Sequence, residues 1–232
     1  MLADIALVLG AYLFGSLPFM LALGGAKGVD LSQEEDLHIA LWRKVGRLEG
    51  LSGIFVDFFK GAIPILIGFG FDFRLVVVAS AGVAAVAGQM WPVFRRFNGE
   101  KGNTTGSAMV ATLSITYQAY LILLIALIPF AIGGGIRTMP RFLASGQTLS
   151  ERFKLGGPAS QSLPLGMAIS FAIMPLISWC LKQPLEMTLA LVALFIAIML
   201  RRLTAGLSAD LKTATNLRSI LINRLLYDRS YL

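Results

Sequence analysis

Five apolar runs decide what this 232-residue chain can become. Leu2 to Gly24, Leu51 to Phe71, Leu75 to Phe94, Leu163 to Leu181 and Leu185 to Leu200 each read as membrane spans, judged against the ~20 apolar residues that cross a ~30 Å hydrocarbon core. With 56% hydrophobic and 14% charged residues, the composition lies outside the soluble range. The first run is not a secretory signal. It carries Asp4 where a basic n-region belongs and has no small-residue cleavage site before Lys27.

Thr105 to Gly133 has two readings. As one helix it would rise ~44 Å at ~1.5 Å per residue, too long for one crossing. As two spans, Thr105–Tyr117 and Ala119–Gly133, it turns near Gln118. The two-span reading puts 25–50, 95–104, 134–162 and 201–232 on one side, with 17 of the 20 Lys and Arg. The positive-inside rule therefore predicts an all-α fold of seven spans, N-terminus out and C-terminus cytoplasmic. Residues 1–204 form the membrane domain. Residues 205–232 form a cytoplasmic tail whose Leu217, Ile220, Leu221 and Leu225 suggest an interfacial helix. The net charge of +7 then serves anionic headgroups or an anionic substrate, not nucleic acid. Small residues at Ala81, Ala84, Ala85 and Gly88 predict close helix packing, within or between chains.

Few residues carry chemistry. Cys180 is the single cysteine, so no intrachain disulfide or cysteine metal cluster forms. His38 is the single histidine, which removes multi-histidine metal sites and is read as a solvated loop residue. No cofactor or metal is expected. Asp57 and Lys60 lie three apart inside a span, one helical face, where they pair structurally or address a bound anion. The loop from Gly88 to Ser107 adds Gln89, Gly99, Lys101, Gly102, Thr104, Thr105 and Ser107 at a helix start, a pattern suited to phosphate.

Four pieces in order resemble the bacterial acyl-phosphate:glycerol-3-phosphate acyltransferases of the PlsY type. They are Gly15-Ser16-Leu17-Pro18-Phe19, Lys27-Gly28-Val29-Asp30, Asp57-Phe58-Phe59-Lys60-Gly61, and Gly88-Gln89-Met90-Trp91-Pro92 running to Gly99-Glu100-Lys101-Gly102. The resemblance covers roughly the first 110 residues. It implies a multi-pass protein of the bacterial inner membrane that moves an acyl chain from acyl phosphate to glycerol 3-phosphate, giving lysophosphatidic acid. By position, Lys101, Lys60 and Asp57 would be catalytic. Arg43, Gly99, Gly102, Thr104, Thr105, Ser107 and Gln89 would bind substrate.

The chain departs from the family pattern in four places. Where the family has a glycine-rich stretch ending in arginine, Ser32 to Trp42 carries Glu34, Glu35 and Asp36, and only Arg43 matches. Gln89 replaces a histidine, Glu100 a glycine, and Arg201 to Gly206 retains only a trace of the last motif. Two other readings fit these departures: a catalytically impaired relative that binds lipid or a protein partner, and a small transporter or flippase.

Overall fold

The computed structural model describes residues 1–34, 36–144, 146, 161–213 and 216–228, and all regular structure in them is helical. Helix α1 (Leu2–Gly15) and α2 (Phe19–Ala26) form one crossing broken at Leu17–Pro18, where proline removes a backbone donor. Next come α3 (Leu37–Lys44), α4 (Arg47–Gly70) and α5 (Leu75–Met90). A 3₁₀ turn at Val93–Arg95 leads into α6 (Asn103–Thr116) and α7 (Tyr120–Leu143). The final crossings are α8 (Ser162–Cys180) and α9 (Leu185–Thr204), followed by α10 (Leu207–Thr213) and α11 (Leu217–Tyr227).

Among the described residues, six helical stretches are long and apolar enough to cross a membrane. The region from Thr105 to Gly133 is two helices, parted at Gln118 with φ +56°. Helix α6, at 14 residues, rises only ~21 Å. The stretch from Gly25 to Gly50 is more than a loop, because α3 lies in it. Asp36 caps it by accepting from the Ile39 N–H at 3.1 Å, and Arg43 and Lys44 close its last turn, favourable for the helix dipole. Leu37, Ala40 and Leu41 share one face and bury against Met20 and Leu31.

Small residues set the helix spacing. A Cβ on Gly15 would strike the Ala85 carbonyl, and one on Gly88 the Tyr12 carbonyl, each under 3.0 Å. The stripe around Ala81, Ala85 and Gly88 therefore packs α5 on α1 within the chain. Gly61 does the same for α4 against Thr105 on α6. These contacts bring α3, α4, α5 and the start of α6 together around one polar knot. The described residues of the tail form two short helices. It packs on α8 and α9 and turns Arg224 inward to bond Asp210 and the Ala205 carbonyl.

Candidate active site

Asp57 and Lys60, each 2% exposed, form the centre of the knot. Their i, i+3 spacing on α4 places Nζ 3.3 Å from Asp57 Oδ1. Lys60 also donates to Gln89 Oε1 at 2.6 Å and to the Leu17 carbonyl at 2.7 Å, an acceptor released by the break before Pro18. Two of the three ammonium protons are used in these hydrogen bonds, while the contact with Asp57 is an ion pair that leaves Asp57 Oδ1 without a hydrogen-bond partner. Lys60 therefore neutralises Asp57 and ties α4 to Leu17 and Gln89.

Gln89 bridges two carboxylates. Its Nε2 donates to Asp57 Oδ2 and to Glu100 Oε1, each at 3.0 Å. Thr105 Oγ1 donates to the Asp57 main-chain carbonyl at 3.0 Å, tying α6 to α4. Burial and the neighbouring Asp57 charge push the Glu100 carboxyl up to about 8, so it holds a proton at neutral pH.

His38 corrects the expectation of a solvated histidine. Helix α3 carries it over α4, where its side chain is 19% exposed and Nε2 lies 3.1 Å from Asp57 Oδ2. His38, Asp57 and Glu100 bring ligand-type atoms within 4.8 Å of one another, a spacing an ion could bridge. The Lys60 ammonium faces the same Asp57 carboxylate from the other side.

The glycine loop is folded back on α5. The Gly99 N–H bonds the Met90 carbonyl at 3.2 Å and the Glu100 N–H bonds the Gln89 carbonyl at 3.0 Å, so neither is left for an anion. Arg96 and Phe97 turn through positive φ, and Tyr12 donates to the Trp91 carbonyl at 2.7 Å. Arg201 of α9 clamps the far side of the loop, binding Asn98 Oδ1 at 3.1 Å and the Gly99 and Glu100 carbonyls. Gly102, at φ +70°, is the N-cap residue of α6, whose first internal bond begins at the Gly106 N–H. The N–H groups before it are the anion-facing donors of this loop.

Two polar cavities that share Glu100, Lys101 and Asp228, and one apolar groove, lie around this arrangement. The largest, about 490 Å³, is faced by Arg95, Lys101, Arg201, Arg202 and Arg224 together with Glu100 and Asp228. Arg202 is 1% exposed, and its Nε and Nη2 have no partner. A buried guanidinium with two unpartnered nitrogens, three N–H donors in all, is costly unless an anion takes them. A second cavity, about 220 Å³, holds His38, Asp57, Lys101, Asn103 and Thr104. Lys101 is not free, because its Nζ meets the Asp228 carboxylate at 3.1 Å and the Asp228 carbonyl at 3.0 Å. An apolar groove of about 120 Å³ lies between α6, α7 and α8. It starts at Ser107 and Met167, one turn along from Thr104 and Pro164 of the second cavity.

The structure thus gathers Asp57, Lys60, Gln89, Gly99, Lys101, Gly102, Thr104 and Thr105 within one connected region. Ser107 lies on the apolar side, and Arg43 is exposed on α3 in an open pocket that shares Gln33 and Glu34 with the largest cavity and Asp36 and Ile39 with the second. The acidic run is partly neutralised: Glu34 binds Lys44 and Asp36 caps α3, while Glu35 lies outside the described residues. Sequence reasoning missed His38, Arg202 and Asp228. For Arg202 a signal existed, since paired arginines at the end of a span are costly without a task.

A family model described as glycerol-3-phosphate acyltransferase matches residues 5–207. A glycerol-3-phosphate acyltransferase of Trichlorobacter lovleyi is 28% identical over 221 residues, 91% of this chain and 100% of that one. That of Aquifex aeolicus is 35% identical over 144 residues, covering 60% of this chain and 70% of the relative. The crystal structure of PlsY (YgiH), an integral membrane glycerol 3-phosphate acyltransferase in its lysophosphatidic acid form, shares the fold. Its TM-score is 0.64 at 24% identity, covering 96% of this chain and 98% of that one. With its apolar helices and the match over 5–207, the chain belongs to the glycerol-3-phosphate acyltransferase family.

Proposed function

We propose that this chain transfers an acyl group from acyl phosphate to glycerol 3-phosphate, giving lysophosphatidic acid and inorganic phosphate. The observation that carries this reading is the junction of the cavities. Cations and α6 N–H groups end one helical turn from an apolar groove, which suits a phosphate head continuous with an acyl tail.

Each part has a role on this reading. Lys101 and the α6 N-terminus from Gly102 to Thr105 hold the acyl-phosphate head, Ser107 marks the neck, and the tail enters between α6, α7 and α8. The Arg201–Arg202 cavity takes the acceptor phosphate through the unpartnered Nε and Nη2 of Arg202. Asp57, Lys60 and Gln89 keep the loop and three helices in register, so their contribution is positioning. Acyl phosphate is already activated, and alignment and charge stabilisation supply much of the acceleration. Arg43, exposed on α3 in the pocket that adjoins both polar cavities, adds a positive charge at their edge.

In the bilayer we place the N-terminus outside, with α6 as a short seventh crossing and the site and the 205–232 tail at the cytoplasmic face of a bacterial inner membrane. The test is lysophosphatidic acid and phosphate release by purified protein given acyl phosphate and glycerol 3-phosphate. Wild type is expected to turn over, and Lys101→Ala to lose at least tenfold in kcat/KM. No product from wild type, or an unaffected Lys101→Ala, would sink the reading.

A further inference from the structure

We propose that His38, Asp57 and Glu100 form a binding site for one divalent transition-metal ion, zinc by the chemistry of its donors. Binding needs only the folded chain and stands apart from the acyl-transfer reading above.

The unpartnered buried side-chain atoms of the described residues sort by kind. Two are the Arg202 nitrogens at the largest cavity, donors that call for an anion. The other three are His38 Nε2, Asp57 Oδ1 and Asn103 Oδ1, all on residues that line the second cavity. Each of these can present a lone pair, and lone pairs gathered without a proton donor call for a cation. Asp57 is 2% exposed, so bulk water does not satisfy it.

The spacing suits an ion. His38 Nε2 lies 3.1 Å from Asp57 Oδ2, yet no hydrogen bond joins them. Bonds of ~2.0–2.2 Å in a tetrahedron set neighbouring zinc ligands ~3.3–3.6 Å apart, close to that separation. One atom each of His38, Asp57 and Glu100 lie within 4.8 Å of one another. Gln89 Nε2 donates to Asp57 Oδ2 and Glu100 Oε1, each at 3.0 Å, and so holds the two carboxylates side by side. Asp36 Oδ1 stands 3.9 Å from His38 Nδ1. That places a carboxylate on the proton-bearing side of the ring and leaves Nε2 for the ion.

The donors select the metal. One imidazole with two carboxylates suits zinc better than calcium or magnesium, which take oxygen ligands. Three protein ligands leave a fourth position, which Asn103 Oδ1 or an anionic oxygen in the cavity can fill. Two carboxylates balance the ion, Glu100 releasing its proton to solvent on binding. Lys60 faces Asp57 Oδ1 at 3.3 Å as an ion pair and costs the site part of its affinity. Two of the three ligands fall where the chain departs from the family pattern: His38 in the replaced glycine-rich stretch, and Glu100 in place of a glycine. The ion gives both departures one reason.

The experiment uses untagged wild-type protein in detergent, stripped with a chelator and titrated with zinc chloride by calorimetry. One ion per chain is expected. His38→Ala and Glu100→Gln should each weaken binding at least ~10-fold. Cys180→Ser should leave it unchanged, which excludes the single thiol as ligand. A second measurement needs no variant. His38 is the single histidine, so its acylation by diethyl pyrocarbonate reports one residue, and one equivalent of zinc should suppress it. Absence of stoichiometric binding, full affinity in His38→Ala or in Glu100→Gln, or unprotected His38 overturns the proposal, as does loss of binding in Cys180→Ser. None of these measurements depends on turnover, so failure of the acyl-transfer reading is seen separately, as absence of product from wild type.

Discussion

Lys60→Met tests whether the buried knot holds the helices as described. Methionine keeps the stem and removes the charge. The Leu17 carbonyl loses little, because the Phe19 N–H still reaches it at 3.0 Å. Gln89 Oε1 loses its donor and cannot recover one by flipping, since Nε2 already serves Asp57 and Glu100. Asp57, 2% exposed, is left as a carboxylate without its ammonium. Breaking a buried pair from one side costs ~3–5 kcal/mol, of which ~1–3 kcal/mol is the orphaned amide oxygen. At ~1.4 kcal/mol per decade, the unfolding equilibrium should shift by ~10²–10⁴-fold. Reversible unfolding in mixed micelles with increasing dodecyl sulfate reads this shift directly. Asp57→Asn added to Lys60→Met removes the stranded charge and should restore most of the loss. A single variant within ~1 kcal/mol of wild type, or a double variant no better than the single, would refute the account.

Gly61→Ala should cost ~1–3 kcal/mol in the same assay by wedging α4 from the Thr105 carbonyl. Gly70→Ala, which meets open space, should be neutral or stabilising, and equal costs at the two sites would be the wrong result. Glu100 makes stability depend on pH. Its folded value of about 8 exceeds the unfolded ~4.3, so the folded state binds the extra proton, and stability held at low pH is lost as pH rises through about 8. Glu100→Gln mimics the protonated form, so its Tm should gain on wild type across that window, and parallel curves would contradict the assignment. Asp228→Asn releases Lys101 from its carboxylate. A partly exposed pair is worth ~0.2–1 kcal/mol, so KM for a phosphorylated substrate should fall by up to ~5-fold. A rise in KM would count against Lys101 as a phosphate ligand.

Much of this architecture was legible in the sequence because hydrophobic runs and small residues act locally. The division near Gln118 and the Asp57–Lys60 pair follow from helix length and periodicity. The stripe at Ala81, Ala85 and Gly88 announced close packing, but only the fold names α1 as its partner. The site was harder to read because its chemistry is assembled from distant segments. Nothing near His38 in sequence announces Asp57, since the contact depends on α3 folding over α4. The Gly99-Glu100-Lys101-Gly102 pattern suggested free N–H donors, but backbone pairing with Met90 and Gln89 consumes two of them. Arg202 and Asp228 reach the site only because the last crossing and the tail return to the loop.

The clamp from Arg201 to the loop carbonyls has a consequence for how the protein is made. All four motif pieces have been synthesised by about residue 110, yet the loop meets its Arg201 clamp roughly a hundred residues later, and the Lys101–Asp228 contact later still. At ~5–20 residues per second, that is a delay of ~5–20 s. A nascent chain therefore carries an unfastened loop until its last crossing and tail are in place. The loop is completed late, with α9 and the tail, rather than as each motif emerges.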